Sequence, residues 1–272
     1  MTSGGSSTSI AARVLLILLV AVTLASCGEP ATPGADPEQV DSVEAPELGA
    51  CRRLTLPAIS QPSDATAVVP CDSEHTAQTF KVGALPDQFA EAAYDDPEVG
   101  SFAFATCTIA LQTFLGGDVS VSMRSIVTWV WFRPSKKAWD EGARWYRCDA
   151  VGGGEQSATL VALPETARGL LQGRPDDKWL ACVAGTSVDS GPKIPCTQDH
   201  DWRAVTTIKL GEPSDDYPGD GLVESKTRDF CSDSVGAWLN YPVDFDYGYT
   251  WFHQPEWDAG NRRSICWAKT SE

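Results

Sequence analysis

Apolar and polar positions along this chain change period several times, and the changes come twice in the same order. TAQTFKV at 76–82 alternates, which predicts a half-buried strand. Residues 86–93 and 99–115 read as helix. In the second of these, Phe104, Cys107, Leu111, Phe114 and Leu115 form an apolar stripe that Gly116-Gly117 stops. VSMRSIVTWVWF at 121–132 is rich in β-branched and aromatic residues and predicts a strand. Pro134 ends it and can open a short helix, Gly142 suits the left-handed position past that helix, and ARWYRCDAV reads as a last strand. The order then returns. WRAVTTIKL (202–210) predicts a strand, KTRDFCSDSVGAWL (226–239) a helix, YGYTWFH (247–253) a strand, PEWDAG a helical turn and NRRSICWAK a strand. The expected fold class is α+β: two tandem homologous domains, each a mostly antiparallel sheet with helices on one face.

Fixed landmarks support the duplication. Cys51 is followed by Pro70-Cys71-x-x-x-His75, and Cys182 by Pro195-Cys196-x-x-x-His200. Cys107 and Cys231 each lie in the helix-like segment. W-D-x-G-x-R-x-x-x-C then closes each unit, as Trp139, Gly142, Arg144 and Cys148 in one and Trp257, Gly260, Arg262 and Cys266 in the other. Agreement over so many positions indicates two copies of one domain, at 51–151 and 179–272. GGGEQSA (152–158) marks the boundary, and within the connector at 152–178 the stretch LPETARGLLQG (163–173) reads as helix. If each copy pairs its four cysteines internally and in the same way, three patterns remain. First with second and third with fourth is favoured: Cys51–Cys71, Cys107–Cys148, Cys182–Cys196 and Cys231–Cys266. No C-x-x-C occurs, so a zinc site is the weaker reading.

The N-terminus sets the compartment. Arg13 precedes the apolar run VLLILLVAVTLA (14–25), which has the length of a signal-peptide core rather than of a membrane span. Leu24-Ala25-Ser26-Cys27 resembles the lipobox of bacterial lipoproteins, which implies cleavage after residue 26 and a lipid on Cys27. Residues 27–50 are rich in Pro, Gly and acids and read as a lipid-anchored, disordered tether. The expected location is therefore the outer face of the cytoplasmic membrane, reached through that anchor. An oxidising compartment also suits the even set of eight remaining cysteines. The net charge of −16 becomes −17 once Arg13 is removed, which speaks against nucleic acid as a partner.

The repeated P-C-x-x-x-H and W-x-x-G-x-R-x-x-x-C landmarks, behind a lipobox, resemble the septum-formation family of actinobacterial envelope proteins. The resemblance covers 51–272. It implies a link to the septum or cell wall and no established reaction.

Candidate chemistry is sparse. His75 and His200 suit a metal site or general base, but their equivalence favours imidazoles that tie a turn to backbone or to Glu74 or Asp199. Arg144 and Arg262 are expected to stack on the motif Trp and pair with an acid, and Asp140 and Asp258 to make local hydrogen bonds. The acidic runs DDPE (95–98) and SDDYPGD (214–220) lack the ligand spacing of a calcium loop. Of ten tryptophans, Trp131, Trp139, Trp251 and Trp257 are matched across the copies and expected in the core. An exposed one among the rest could stack on glycan rings. Signatures for common hydrolases, phosphate loops and dinucleotide sites are missing, so no catalytic residue, metal or cofactor is expected. The expected function is non-catalytic binding of envelope proteins or cell-wall glycan. The alternatives are a carboxylate-dependent wall hydrolase and a histidine-based metal or sensory module.

Overall fold

The computed structural model describes residues 35–270. The expected signal segment, the expected lipid site Cys27 and the first part of the expected tether lie outside the described residues. In chain order the first copy runs α1 (Glu38–Asp41), β1 (Cys51–Arg52), α2 (Leu56–Ile59), β2 (Val68–Val69), β3 (Ala77–Ala84), α3 (Pro97–Leu115), α4 (Val119–Met123), β4 (Thr128–Phe132), α5 (Lys136–Asp140) and β5 (Trp145–Val151). The second runs β6 (Ala181–Val183), β7 (Lys193–Pro195), β8 (Trp202–Lys209), α6 (Asp220–Trp238), β9 (Tyr247–Thr250), α7 (Gln254–Asp258) and β10 (Arg263–Lys269). Each copy folds into a five-stranded antiparallel sheet, in the orders β2-β1-β3-β5-β4 and β7-β6-β8-β10-β9. The two orders match strand for strand. The small strands β1, β2, β6 and β7 carry too few residues for a period to show in the sequence.

One long helix covers one face of each sheet. In α3 the Asp96 carboxylate caps the Glu98 N–H, Pro97 occupies the first turn, and Gly116 closes the helix at φ 72°. Val99, Ala103, Cys107, Leu111 and Leu115 recur every four residues and are buried. Val223, Thr227, Cys231 and Val235 make the same ridge on α6. Each ridge is stapled to the sheet at its third position, by Cys107–Cys148 and Cys231–Cys266. Cys51–Cys71 and Cys182–Cys196 close the short β1–β2 and β6–β7 hairpins. By length and composition α3 could cross a membrane, but its apolar ridge lies on its own sheet.

The opposite faces of the two sheets have diverged. In the first copy that face carries Arg52, Thr79, Arg147 and Asp149, all buried. Arg52 donates to Thr79 Oγ1 (2.8 Å), and Thr79 donates to Asp149 Oδ1 (2.6 Å). Arg147 Nε lies 2.9 Å from Asp149 Oδ2, an ion pair rather than a well-aligned hydrogen bond, and its Nη2 reaches Asp64 at 3.4 Å. Burial, more than the neighbouring Arg147, lowers the Arg52 guanidinium to about 10. The register places Val183, Ala204, Ile265 and Trp267 at the same four points of the second sheet. This apolar face packs into one continuous core with Ile126, Val127 and the α3 side of the first copy. A backbone ladder runs beside it: Ile126 N–H donates to Trp179 O (3.0 Å) and Ala181 N–H to Arg124 O (2.8 Å). The copies therefore share a core.

Four expectations need correction. Residues 35–50 are not a solvated tether in the structure. They lie over the first copy, with Val40 buried, Trp145 Nε1 donating to Ser42 O (3.0 Å) and Gln39 accepting from Arg52 (2.8 Å). The buried charges demand polar partners, and this segment supplies them. The connector 163–173 is not helical. Gly169 and Gly173 sit at φ 75° and 70°, and the N–H groups of Gly169 and Leu171 instead cap Phe114 O and Leu115 O at the end of α3. The expected strand 121–132 is divided, because Asp118 caps α4 through Val121 N–H and leaves only β4 extended. Of the helix expected at 86–93, one 3₁₀ turn at Asp87–Phe89 forms.

Two outcomes are expected. Asp149→Ala leaves Arg147 buried beside a weaker partner and should cost about 3–5 kcal/mol in denaturant unfolding. A loss under about 1 kcal/mol would contradict the network's role. The hydrogen bond from Ser135, then that from Lys137, holds Asp41 below the ordinary carboxylate value of 3.8. A depressed folded pKa contributes stability above 3.8 that is lost as pH falls through the folded value. Hydrogen exchange over 35–50 should therefore rise on acidification below that value, and Asp41→Asn should raise it already at neutral pH.

Candidate binding groove

Residues singled out by the duplicated motifs are used within the fold. His75 is fully buried and its Nδ1 lies 2.8 Å from Ser73 O, while His200 is partly exposed with Nδ1 2.7 Å from Gln198 O. Each ring ties its own turn to backbone, and neither uses Glu74 or Asp199. Pro70 O and Pro195 O close the same turns by accepting from Ser73 and Gln198. Among the described residues the one group with metal-ligand proximity is Cys182, Cys196 and His200, and its two sulfurs are already joined to each other.

The closing motif is likewise architectural. The Arg144 guanidinium lies 4.2 Å over Trp139, and that of Arg262 3.6 Å over Trp257. Both also donate to backbone carbonyls, Arg144 to Trp139 O (2.7 Å) and Arg262 to Trp257 O (2.5 Å). Stacking on the motif Trp is as expected, but the partner is the carbonyl ending the short helix rather than an acid. Gly142 (φ 100°) and Gly260 (φ 104°) take the left-handed turn that brings the arginine back over the ring. Asp140 pairs with Lys136 and Asp258 with Gln254, one turn away in each case.

The acidic runs are committed too. Asp96 caps α3, and Asp215 accepts from Glu212 N–H. Asp220 binds both the Tyr217 hydroxyl and His253 Nδ1. Tyr217 is pushed up to about 12, by desolvation first and then by that hydrogen bond.

A groove runs along the seam between the copies. One cavity, about 420 Å³, is walled by Met123 and Gln156 of the first copy and connector and by Lys193, Trp251, Asn261 and Arg263 of the second. A neighbouring cavity of about 460 Å³ shares Met123, Gln156 and Lys193 and extends to Trp129 and Ser122. The seam brings these residues together: Lys193 N–H donates to Gln156 O (2.7 Å), which draws the edge strand β7 against the connector. Lys193 is partly exposed, but the atoms around it displace its hydration and lower its pKa. Both cavities fall in the size range of small-molecule sites. Motif matching across the copies missed this groove because it lies where the copies differ. Lys193 occupies the place of Val68, a substitution of charge for an apolar residue in a short strand, and that contrast was its only signal.

A family model described as septum formation matches residues 22–132 and again 127–266. No curated protein and no solved structure matches this chain.

If the motif arginine is architectural, Arg262→Ala should lower stability by about 1.5–3 kcal/mol through its lost charged hydrogen bonds. His200→Gln should cost less than about 1 kcal/mol. Urea unfolding under oxidising conditions measures both, and the reverse order would contradict the assignment.

Proposed function

Because the chain belongs to the septum-formation family, we propose that it is an exported, lipid-anchored protein that binds an envelope component during septum formation without transforming it. Family membership supports the septal or envelope role, and the four disulfides suit an extracytoplasmic location. The apolar run at 14–25 and Cys27 directly after Ala25-Ser26 supply the anchor in this reading. The observation that carries the binding role is the groove at the seam, a concave surface built by both copies together. The carboxylates nearest it, Asp189 and Glu155, line different cavities. The chain carries none of the common hydrolase signatures, and the proposal is accordingly one of holding a ligand rather than cleaving it. Cell-wall glycan and envelope proteins are the partner classes; nucleic acid is disfavoured by a net charge of −16.

The test is fractionation and imaging of growing cells. The wild-type chain should partition with membranes, carry lipid on Cys27 and concentrate at division sites. Cys27→Ser should abolish lipid labelling. An even distribution around the cell, or a Cys27→Ser chain that still incorporates lipid, would contradict the proposal.

A further inference from the structure

Some surface cations are matched, Lys136 with Asp140, Lys137 with Asp41, Arg203 with Asp177, Lys209 with Glu212 and Lys269 with Asp246, while others, Lys81 and Lys226 among them, form no ion pair with the described residues. In the groove, Lys193 and Arg263 line the same cavity, and among the described residues neither forms an ion pair. Among the described residues, Arg263 Nη1 donates to Thr207 Oγ1 (3.2 Å), and the Lys193 ammonium makes no ion pair.

The polar groups beside them are also left as donors. Asn261 Oδ1 already accepts from Arg263 N–H (2.8 Å), which leaves its amide NH₂ to donate. Thr250 Oγ1 accepts from Trp267 Nε1 (3.2 Å), which leaves its O–H to donate. The Gln156 side chain stands in the same wall. A pocket that presents two cations and several donors calls for an acceptor-rich anion. Trp251, expected in the core, is instead partly exposed in one cavity, and with Trp129 in the next it offers an indole that suits flat apolar ring faces. Asp189 and Glu155 are the acids present, one in each cavity, and neither forms an ion pair with Lys193 or Arg263.

The geometry points to a binding site for a short carboxylated oligosaccharide, its carboxylate held by Lys193 and Arg263, its hydroxyls by Asn261, Thr250 and Gln156, and its rings flanked by Trp251 and Trp129. This deepens the envelope-binding reading and rests on it. The site belongs to the second copy and the seam, since Val68 stands where a first-copy Lys193 would be. Desolvation of Lys193 acts in the same direction as this geometry, because a carboxylate beside the ammonium offsets part of the cost of burying its charge.

Calorimetric titration of the purified full chain in detergent tests this. The probe is a tetrasaccharide of alternating N-acetylglucosamine and N-acetylmuramic acid with free lactyl carboxylates. Chitotetraose serves as the neutral control and tetraglutamate as the acidic peptide. The carboxylated sugar should bind at least about tenfold more tightly than chitotetraose. Lys193→Gln should erase that preference while leaving the melting temperature unchanged. Should Lys193→Gln melt early, Arg263→Gln carries the same expectation. Equal affinity for the two sugars, tetraglutamate binding as tightly as the sugar, or a preference that survives both variants would each overturn the inference. A chain that concentrates at the septum yet shows no sugar preference overturns the ligand alone and leaves the envelope role standing.

Discussion

The structure depends on what became of the second sheet's outer face. Val183, Ala204, Ile265 and Trp267 form an apolar surface there, and Trp267 is fully buried against the first copy. Exposed on an isolated domain, such a surface would be costly in water. Packed onto Ile126 and Val127, it makes one core of two repeats. The ladder between 124–126 and 179–181, the position of the connector and the groove all follow from that packing.

The first sheet solved the same problem by other means. Its equivalent face is polar, with Arg52, Thr79, Arg147 and Asp149 linked to one another, and Gln39 and Asp64 reach onto it from the segments before and after β1. Buried charges of this kind are seldom a net source of stability against an apolar alternative, but they are costly to break. Their effect is discrimination: a face that requires Asp64 and Gln39 cannot be covered by the apolar face of the second copy. The duplicated sheets are thereby prevented from pairing like with like. This negative preference fixes which surface takes the N-terminal segment and which forms the seam.

Much of the architecture was legible because its signals are local. Four cysteines in a fixed order within each copy, a ridge every four residues on each long helix, and W-D-x-G-x-R at each close all declare their neighbours within one copy. The disulfides join first with second and third with fourth inside each copy, and the motif arginines lie on tryptophans five residues before them, so every partner falls within one repeat. The seam was not legible in this way. Trp267 and Asp149 are equivalent positions, and nothing near either one states what will cover it. The Pro- and acid-rich stretch 35–50 looked unable to pack because its few apolar residues give no period, whereas its role is to present Gln39, Ser42 and Asp41 to the first copy. Lys193 and Arg263 belong to no motif; they matter because the seam places them in one cavity.

If the two repeats form one cooperative body, differential scanning calorimetry of the oxidised full chain should show a single transition with calorimetric and van't Hoff enthalpies equal, and a Trp267→Ala variant should move that whole transition to lower temperature. Two resolved transitions, of which Trp267→Ala shifts only one, would contradict that cooperativity.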